Sequence, residues 1–192
     1  SRRDWIHWFA CDPSEQTRVG IFFERLQDGL ANVYVRLNVK QRFLVLPQTL
    51  LKDNSEGHVY SAGGIRLECT SPMRGWRLAL NLIMQEPEGL GEVHVRFGAQ
   101  VAMTGHTFEL PKQVRASLLA RRFLGEGNVE AAKNEILKCC DECQAIMQPH
   151  SLYAEIIVEG ERQEVLLFGS RLKFFGTSNF LQDLAIYIGY AE

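Results

Sequence analysis

Apolar side chains fall at every second position through most of the first 110 residues, and this period of two constrains the fold more than any other feature. Its clearest instance runs from Tyr60 to Gln85, which reads as two paired strands with their turns written in. Gly63 and Gly64 supply a tight turn. Ile65, Leu67 and Cys69 alternate with Arg66, Glu68 and Thr70, and Ser71-Pro72 breaks the run. Trp76, Leu78, Leu80 and Leu82 then take one side of a second run, with Arg77, Ala79, Asn81 and Ile83 on the other. A hairpin with a buried Trp76 is expected.

The same reading extends in both directions. Asp4 to Ala10 places Trp5, His7 and Phe9 on one face and Ile6, Trp8 and Ala10 on the other. Thr17 to Leu26 alternates around Val19, Ile21 and Phe23, and Asp28-Gly29 is a hairpin signal. Ala31 to Val39 sets Val33, Val35 and Leu37 against Asn32, Tyr34, Arg36 and Asn38. Arg42 to Leu46 stops at Pro47, Lys52 to His58 is a polar loop, and Glu92 to Phe97 sets Val93, Val95 and Phe97 against Glu92, His94 and Arg96. With the apolar run from Ala99 to Leu110 this makes about eight strands, the spacing of an antiparallel barrel or curved sandwich.

Beyond Pro111 the period changes to that of a helix. One helix is expected from Pro111 to about Leu124 and a second from Val129 to Met147, stopped by Pro149. Tyr153 to Val158 and Gln163 to Phe168 form a hairpin about Glu159-Gly160-Glu161, and Phe180 to Tyr190 is a terminal element. The expected molecule is therefore a single mainly β domain over 1–192, with its main antiparallel sheet in 1–110. A helical pair is inserted at 111–148 over one opening or edge, and a returning hairpin and terminal element fill 149–192.

Composition narrows the function classes. Hydrophobic residues make up 46%, enough for a full core. Lys plus Arg is 21 against 23 for Asp plus Glu, so no general field favours nucleic acid. No apolar run is long enough for a membrane span, and no secretion signal opens the chain. Ser1-Arg2-Arg3 reads as a processed chain or an excised piece of a longer one. Cys11, Cys69, Cys139, Cys140 and Cys143 are odd in number with three crowded together, a pattern that suits free thiols and a cytoplasmic setting.

Few residues group as a catalytic constellation would. Cys139, Cys140 and Cys143 share one expected helix, but zinc wants four ligands and His150 is the one further candidate nearby, so small core residues and no metal are expected. His7, His58, His94, His106 and His150 are scattered, no nucleophile elbow occurs, and neither glycine pair makes a phosphate loop. No cofactor and no catalytic residue are expected. Aromatic residues on both faces of a strand, as at Trp5 and Trp8 or Phe22 and Phe23, mean that each face meets a core, a cavity or a partner. A barrel of this strand number holds one small ligand. The lining residues expected for a small apolar molecule are Trp5, His7, Phe23, Tyr34, Trp76 and His94.

The run SAGGIRLECTSPMRGWRLALN at Ser61 to Asn81 resembles the N-terminal region of phosphoenolpyruvate-synthase-like and rifampicin-phosphotransferase-like proteins. There an Ala-Gly-Gly strand, a Glu-Cys pair, a Pro-Met and a Trp-Arg follow one another in this order. The opening Asp4-Trp5 strand and the hairpin at Ile156 to Arg171 have counterparts too. Where that family often shows an Arg-Asp-His-Ser-Phe-Gly-like signature, this chain reads Ser170-Arg171-Leu172-Lys173-Phe174-Phe175-Gly176, without the acid or the histidine. The resemblance implies a lipocalin-like, carotenoid-hydratase-like barrel and assigns any phosphotransfer to other domains of a longer parent chain. The function expected is a non-catalytic accessory domain that binds a small apolar ligand or docks neighbouring domains, with a homodimer formed if former interfaces are exposed. One alternative is an isomerase, cyclase or hydratase using His7, Glu68 or His94; another is a purely structural interaction module.

Overall fold

The computed structural model describes residues 2–87, 91–110 and 143–177. Strands form where the period of two is strongest. They are β1 Arg3–Cys11, β2 Arg18–Arg25, β3 Leu30–Val39, β4 Arg42–Val45, β5 Leu50–Lys52, β6 Val59–Ala62, β7 Ile65–Ser71, β8 Gly75–Gln85, β9 Glu92–Met103, β10 Phe108–Leu110, β11 Cys143–Val158 and β12 Glu161–Gly176. The turn between β6 and β7 shows local chemistry at work: Gly63 and Gly64 take φ of 52° and 86°. A Cβ on Gly64 would stand 2.3 Å from the Asn81 carbonyl oxygen, so this corner requires glycine.

Eight strands close a ring in the order β1, β2, β3, β4, β8, β9, β11, β12, and β12 pairs back onto β1. Every pairing is antiparallel, and because the ring closes on itself the molecule is a barrel and not a sandwich. The wall between β3 and β8 is built twice. Toward one end β4 bridges them through a single pair, Val45 with Gln85. Toward the other, β5 lies on β3, β7 on β8 and β6 on β7, and the Asn54 N–H donates to the Ser61 carbonyl at 2.8 Å.

One continuous core fills the ring from its inward positions, among them Ile6, Trp8, Ile21, Phe23, Val33, Leu67, Trp76, Leu78, Phe97 and Ile156. Burying each such side chain contributes about 1.5–3 kcal/mol, and this inward face drives closure. A second, smaller cluster lies on the outer face of β1, β11 and β12, where Trp5, Cys143, Ala145, Leu172 and Phe174 are buried with Phe22, Phe108 and Met147 against them.

The helical pair expected at 111–148 is corrected at its end. Cys143 to Gln148 open strand β11, paired residue by residue with β12 from Cys143↔Gly176 to Val158↔Glu161. Residues four apart, such as Cys143 and Met147, share a face in a strand as they do in a helix, so that spacing does not separate the two. Residues 111–142 lie outside the described residues, as does the terminal element expected at 180–190. No helix occurs among the described residues, and so none there is long and apolar enough to cross a membrane. The hairpin placed at 149–192 thus begins at Cys143 and completes the first sheet, because β11 pairs with β9 on one side and β12 on the other.

Candidate functional site

Directly opposed residues of an antiparallel pair point to the same face, so the register shows what the barrel interior collects. Near one end Trp8 on β1 opposes Arg171 on β12, which opposes Gln148 on β11. One row deeper Ala10, Gly169 and His150 align, and one row nearer the rim Ile6, Lys173 and Ile146 do. The inward phase of β12 therefore changes from apolar at Leu167 to cationic at Arg171 and Lys173. Ala10 and Gly169, the smallest residues of these rows, face each other beside His150.

At the rim, Asp4 organises a polar cluster. The Tyr60 hydroxyl donates to Asp4 Oδ1 at 2.8 Å, Lys173 Nζ lies 3.1 Å from the same oxygen, and Arg25 reaches Oδ2 at 3.4 Å. Lys173 also bonds the Tyr60 hydroxyl. Arg25 donates to the carbonyls of Gly57 and Val59 at 3.0 and 2.8 Å, and its guanidinium carbon sits 4.1 Å from the Tyr60 ring centroid. Burial, reinforced by the Asp4 charge and hydrogen bond, pushes the Tyr60 pKa up and keeps its hydroxyl a donor. Burial pulls Lys173 down, opposed by Asp4. This cluster is internally satisfied except at Arg25 Nε.

Deeper in, the balance fails. Arg171 is 4% exposed and donates to Gln148 Oε1, while Gln148 Nε2 donates to Thr107 Oγ1 at 2.9 Å and to the Met73 carbonyl at 3.5 Å. The turn before β8 and the segment before β10 thus roof this end. The guanidinium carbon of Arg171 is 5.1 Å from the Trp76 ring centroid and 5.8 Å from that of Trp8. Trp8 meets Trp76 edge-on at 5.4 Å and His150 at 5.2 Å. Five buried nitrogens of this group have no hydrogen-bond partner among the described residues: Trp8 Nε1, Trp76 Nε1, Arg171 Nε and both ring nitrogens of His150. No carboxylate among the described residues pairs with Arg171, whose charge burial disfavours.

Burial pushes the His150 pKa down to about 4; the nearby Ser170 backbone opposes this and the Arg171 charge adds to it. His150 is therefore neutral in the folded barrel at neutral pH. An unfolded chain takes up its proton near pH 6.5 while the fold does not. Stability falls as pH drops from about 6.5 to about 4 and levels off below, by roughly 3 kcal/mol in all. Urea midpoints at pH 7.5 and pH 5 measure this. His150→Asn is expected to remove most of the difference, and an unchanged pH dependence in that variant would contradict the assignment.

The expected lining residues divide between two faces. Phe23 and Trp76 point inward, Phe23 packing on Tyr60 at 5.5 Å between ring centroids. Trp5, His7 and Tyr34 come together, but on the outer face, joined through Phe22 at 5.7, 6.3 and 6.0 Å. His94 stands apart and exposed, its Nε2 2.6 Å from Asn81 Oδ1, and Glu68 pairs with Arg66 at 3.3 Å. His7, Glu68 and His94 are thus not assembled into one group. Burial and the Arg36 charge lower the pKa of His7.

Of the residues weighed for metal, Cys143 is a buried thiol facing the outer cluster and His150 faces inward, while Cys139 and Cys140 lie outside the described residues. No group of metal-ligating side chains occurs among the described residues. A cavity of about 300 Å³ opens at the other end of the barrel, between Val39, Ile156 and Val158 and a rim of Lys40, Arg42, Glu159 and Glu161. Those rim charges pair among themselves: Arg42 with Glu159 at 2.6 Å, and Lys40 with Glu161.

Arg171, Lys173, Gln148 and Asp4 are absent from the lining residues expected of the sequence. Their signal is a charge or amide in phase with core positions of a strand, readable once β12 is extended past Phe168 and β11 begins before Pro149. No family model, curated protein or solved structure matches this chain.

Proposed function

We propose that the chain is a non-catalytic binding protein for a small molecule held inside the end of the barrel formed by Trp8, Trp76, Arg171 and His150. The observation that carries this reading is the set of five buried, unpartnered nitrogens around these side chains. Leaving a buried donor unsatisfied costs about 1–3 kcal/mol. A core with only a structural task has no use for several in one place, whereas a ligand that accepts from the four N–H groups and donates to the unprotonated His150 nitrogen explains them together. The surrounding rings supply the apolar contact expected of such a site. Native mass spectrometry of the purified chain tests the proposal: extra mass of small-molecule size, lost on denaturation, is expected.

The outer face supports a second reading, docking against a neighbouring domain of the kind found in phosphoenolpyruvate-synthase-like proteins. Tyr153 and Leu166 oppose each other there, next to Phe168 and Phe9, and all four are exposed. Cys69 is a free thiol, which fits the cytoplasmic setting proposed for either reading.

A further inference from the structure

The geometry points to an organic acid as the ligand of this site, its carboxylate taken by Arg171 with the indole N–H groups of Trp8 and Trp76 and its apolar body lying against the two rings. This rests on the reading of the barrel end as a small-molecule site and names the chemical class.

The argument is an inventory of donors and acceptors. Arg171 has five N–H donors and no acceptor, and each indole offers one donor. Against them, among the described residues, Arg171 has one hydrogen-bond acceptor, Gln148 Oε1, with Cys69 and Tyr60 as its further titratable neighbours. Asp4, the carboxylate of the adjoining rim cluster, is already held by Tyr60, Lys173 and Arg25. Among the described residues the site is therefore short of negative charge and of lone pairs. A carboxylate brings both, with about four acceptor positions, and matches a guanidinium in plane and spacing. An alcohol brings no charge, and an ammonium would add to the positive charge of Arg171. A phosphate dianion would give up more hydration than one deeply buried guanidinium returns. His150, neutral and in ring contact with Trp8, accommodates either a donor or an acceptor of the ligand body.

The test titrates the full chain with straight-chain carboxylates from acetate to decanoate, the matching primary alcohols and the matching alkyl phosphates. Tryptophan fluorescence gives affinity, and the indole ¹⁵N–¹H resonances give the place. With three tryptophans in the chain, each indole signal is separately assignable. At least one carboxylate is expected to bind saturably and at least about tenfold tighter than its alcohol and its phosphate, as a charge-assisted hydrogen bond implies. The signals of Trp8 and Trp76 should move and that of Trp5, on the outer face, should stay. Trp76→Phe keeps a ring and removes the N–H, and it should weaken the carboxylate about tenfold. Arg171→Gln should abolish binding. An alcohol or phosphate binding as tightly as the acid overturns the carboxylate assignment while small-molecule binding stands. Movement of Trp5 alone overturns the location. No binding in any of the three series overturns both the assignment and the reading beneath it.

Discussion

Gly169→Ala is expected to destabilise the barrel by at least about 3 kcal/mol, the largest effect of any single methyl group in the described chain. Gly169 sits in β12 opposite Ala10 on β1, at the seam where the ring closes. A Cβ built there would lie 1.8 Å from the Phe9 carbonyl oxygen and 2.6 Å from the Ala10 Cα. Both are backbone atoms of the neighbouring strand, so no side chain can turn aside, and β1 must separate from β12. With a typical net stability of about 5–15 kcal/mol, such a change takes a large share of the whole. Urea unfolding measures it, and Gly98→Ala is the control. Gly98 is also in a strand, but its added carbon meets nothing within 4 Å, so that variant should stay within about 0.5 kcal/mol of the parent. Equal behaviour of the two would contradict closure through β1 and β12.

Arg171→Met is expected to do the opposite to the unliganded chain, raising its stability by about 1–3 kcal/mol while removing ligand binding. A buried guanidinium held by one neutral amide does not recover its lost hydration, and an apolar side chain of similar length removes that deficit. Gln148 keeps its Nε2 bonds to Thr107 and Met73 and loses the one at Oε1, and that neutral acceptor offsets only part of the gain. For a domain of this size each kcal/mol moves the melting temperature by about 2–4 °C. Thermal unfolding of ligand-free protein reads the sign directly. A lower melting temperature would mean that Arg171 is a structural element of the core, and the case for a functional cation would fall with it. Stability given up at one residue is the pattern expected where binding, and not folding, retains it.

The barrel was legible because its cause is legible. Alternation in Trp76, Leu78, Leu80 and Leu82 and in Val93, Val95 and Phe97 can be satisfied by a sheet with one covered face, and those residues are buried as the period requires. What alternation does not say is which face turns inward when both are apolar. On β1, Trp5, His7 and Phe9 compete with Ile6, Trp8 and Ala10, and only the pairing with β2 and β12 decides for the second set. Trp5 and His7 read as ligand-lining for that reason, yet they cover the outside of the barrel. The site itself was hidden by a second ambiguity. Cys143 to Met147 fit a helix stripe as well as a strand face, and a helix ending at Pro149 conceals that Gln148 and His150 point into the same interior as Arg171. Non-local pairing carries that information, and a single chain without its partners laid beside it does not display it.

The most direct test of the central claim is a native mass spectrum of the purified chain set beside its denatured mass, recorded for the parent and for Arg171→Met. Bound small-molecule mass on the parent, absent from the variant, is the predicted result. A bare mass for the parent, or the same bound mass on both proteins, would contradict a ligand site built on Arg171.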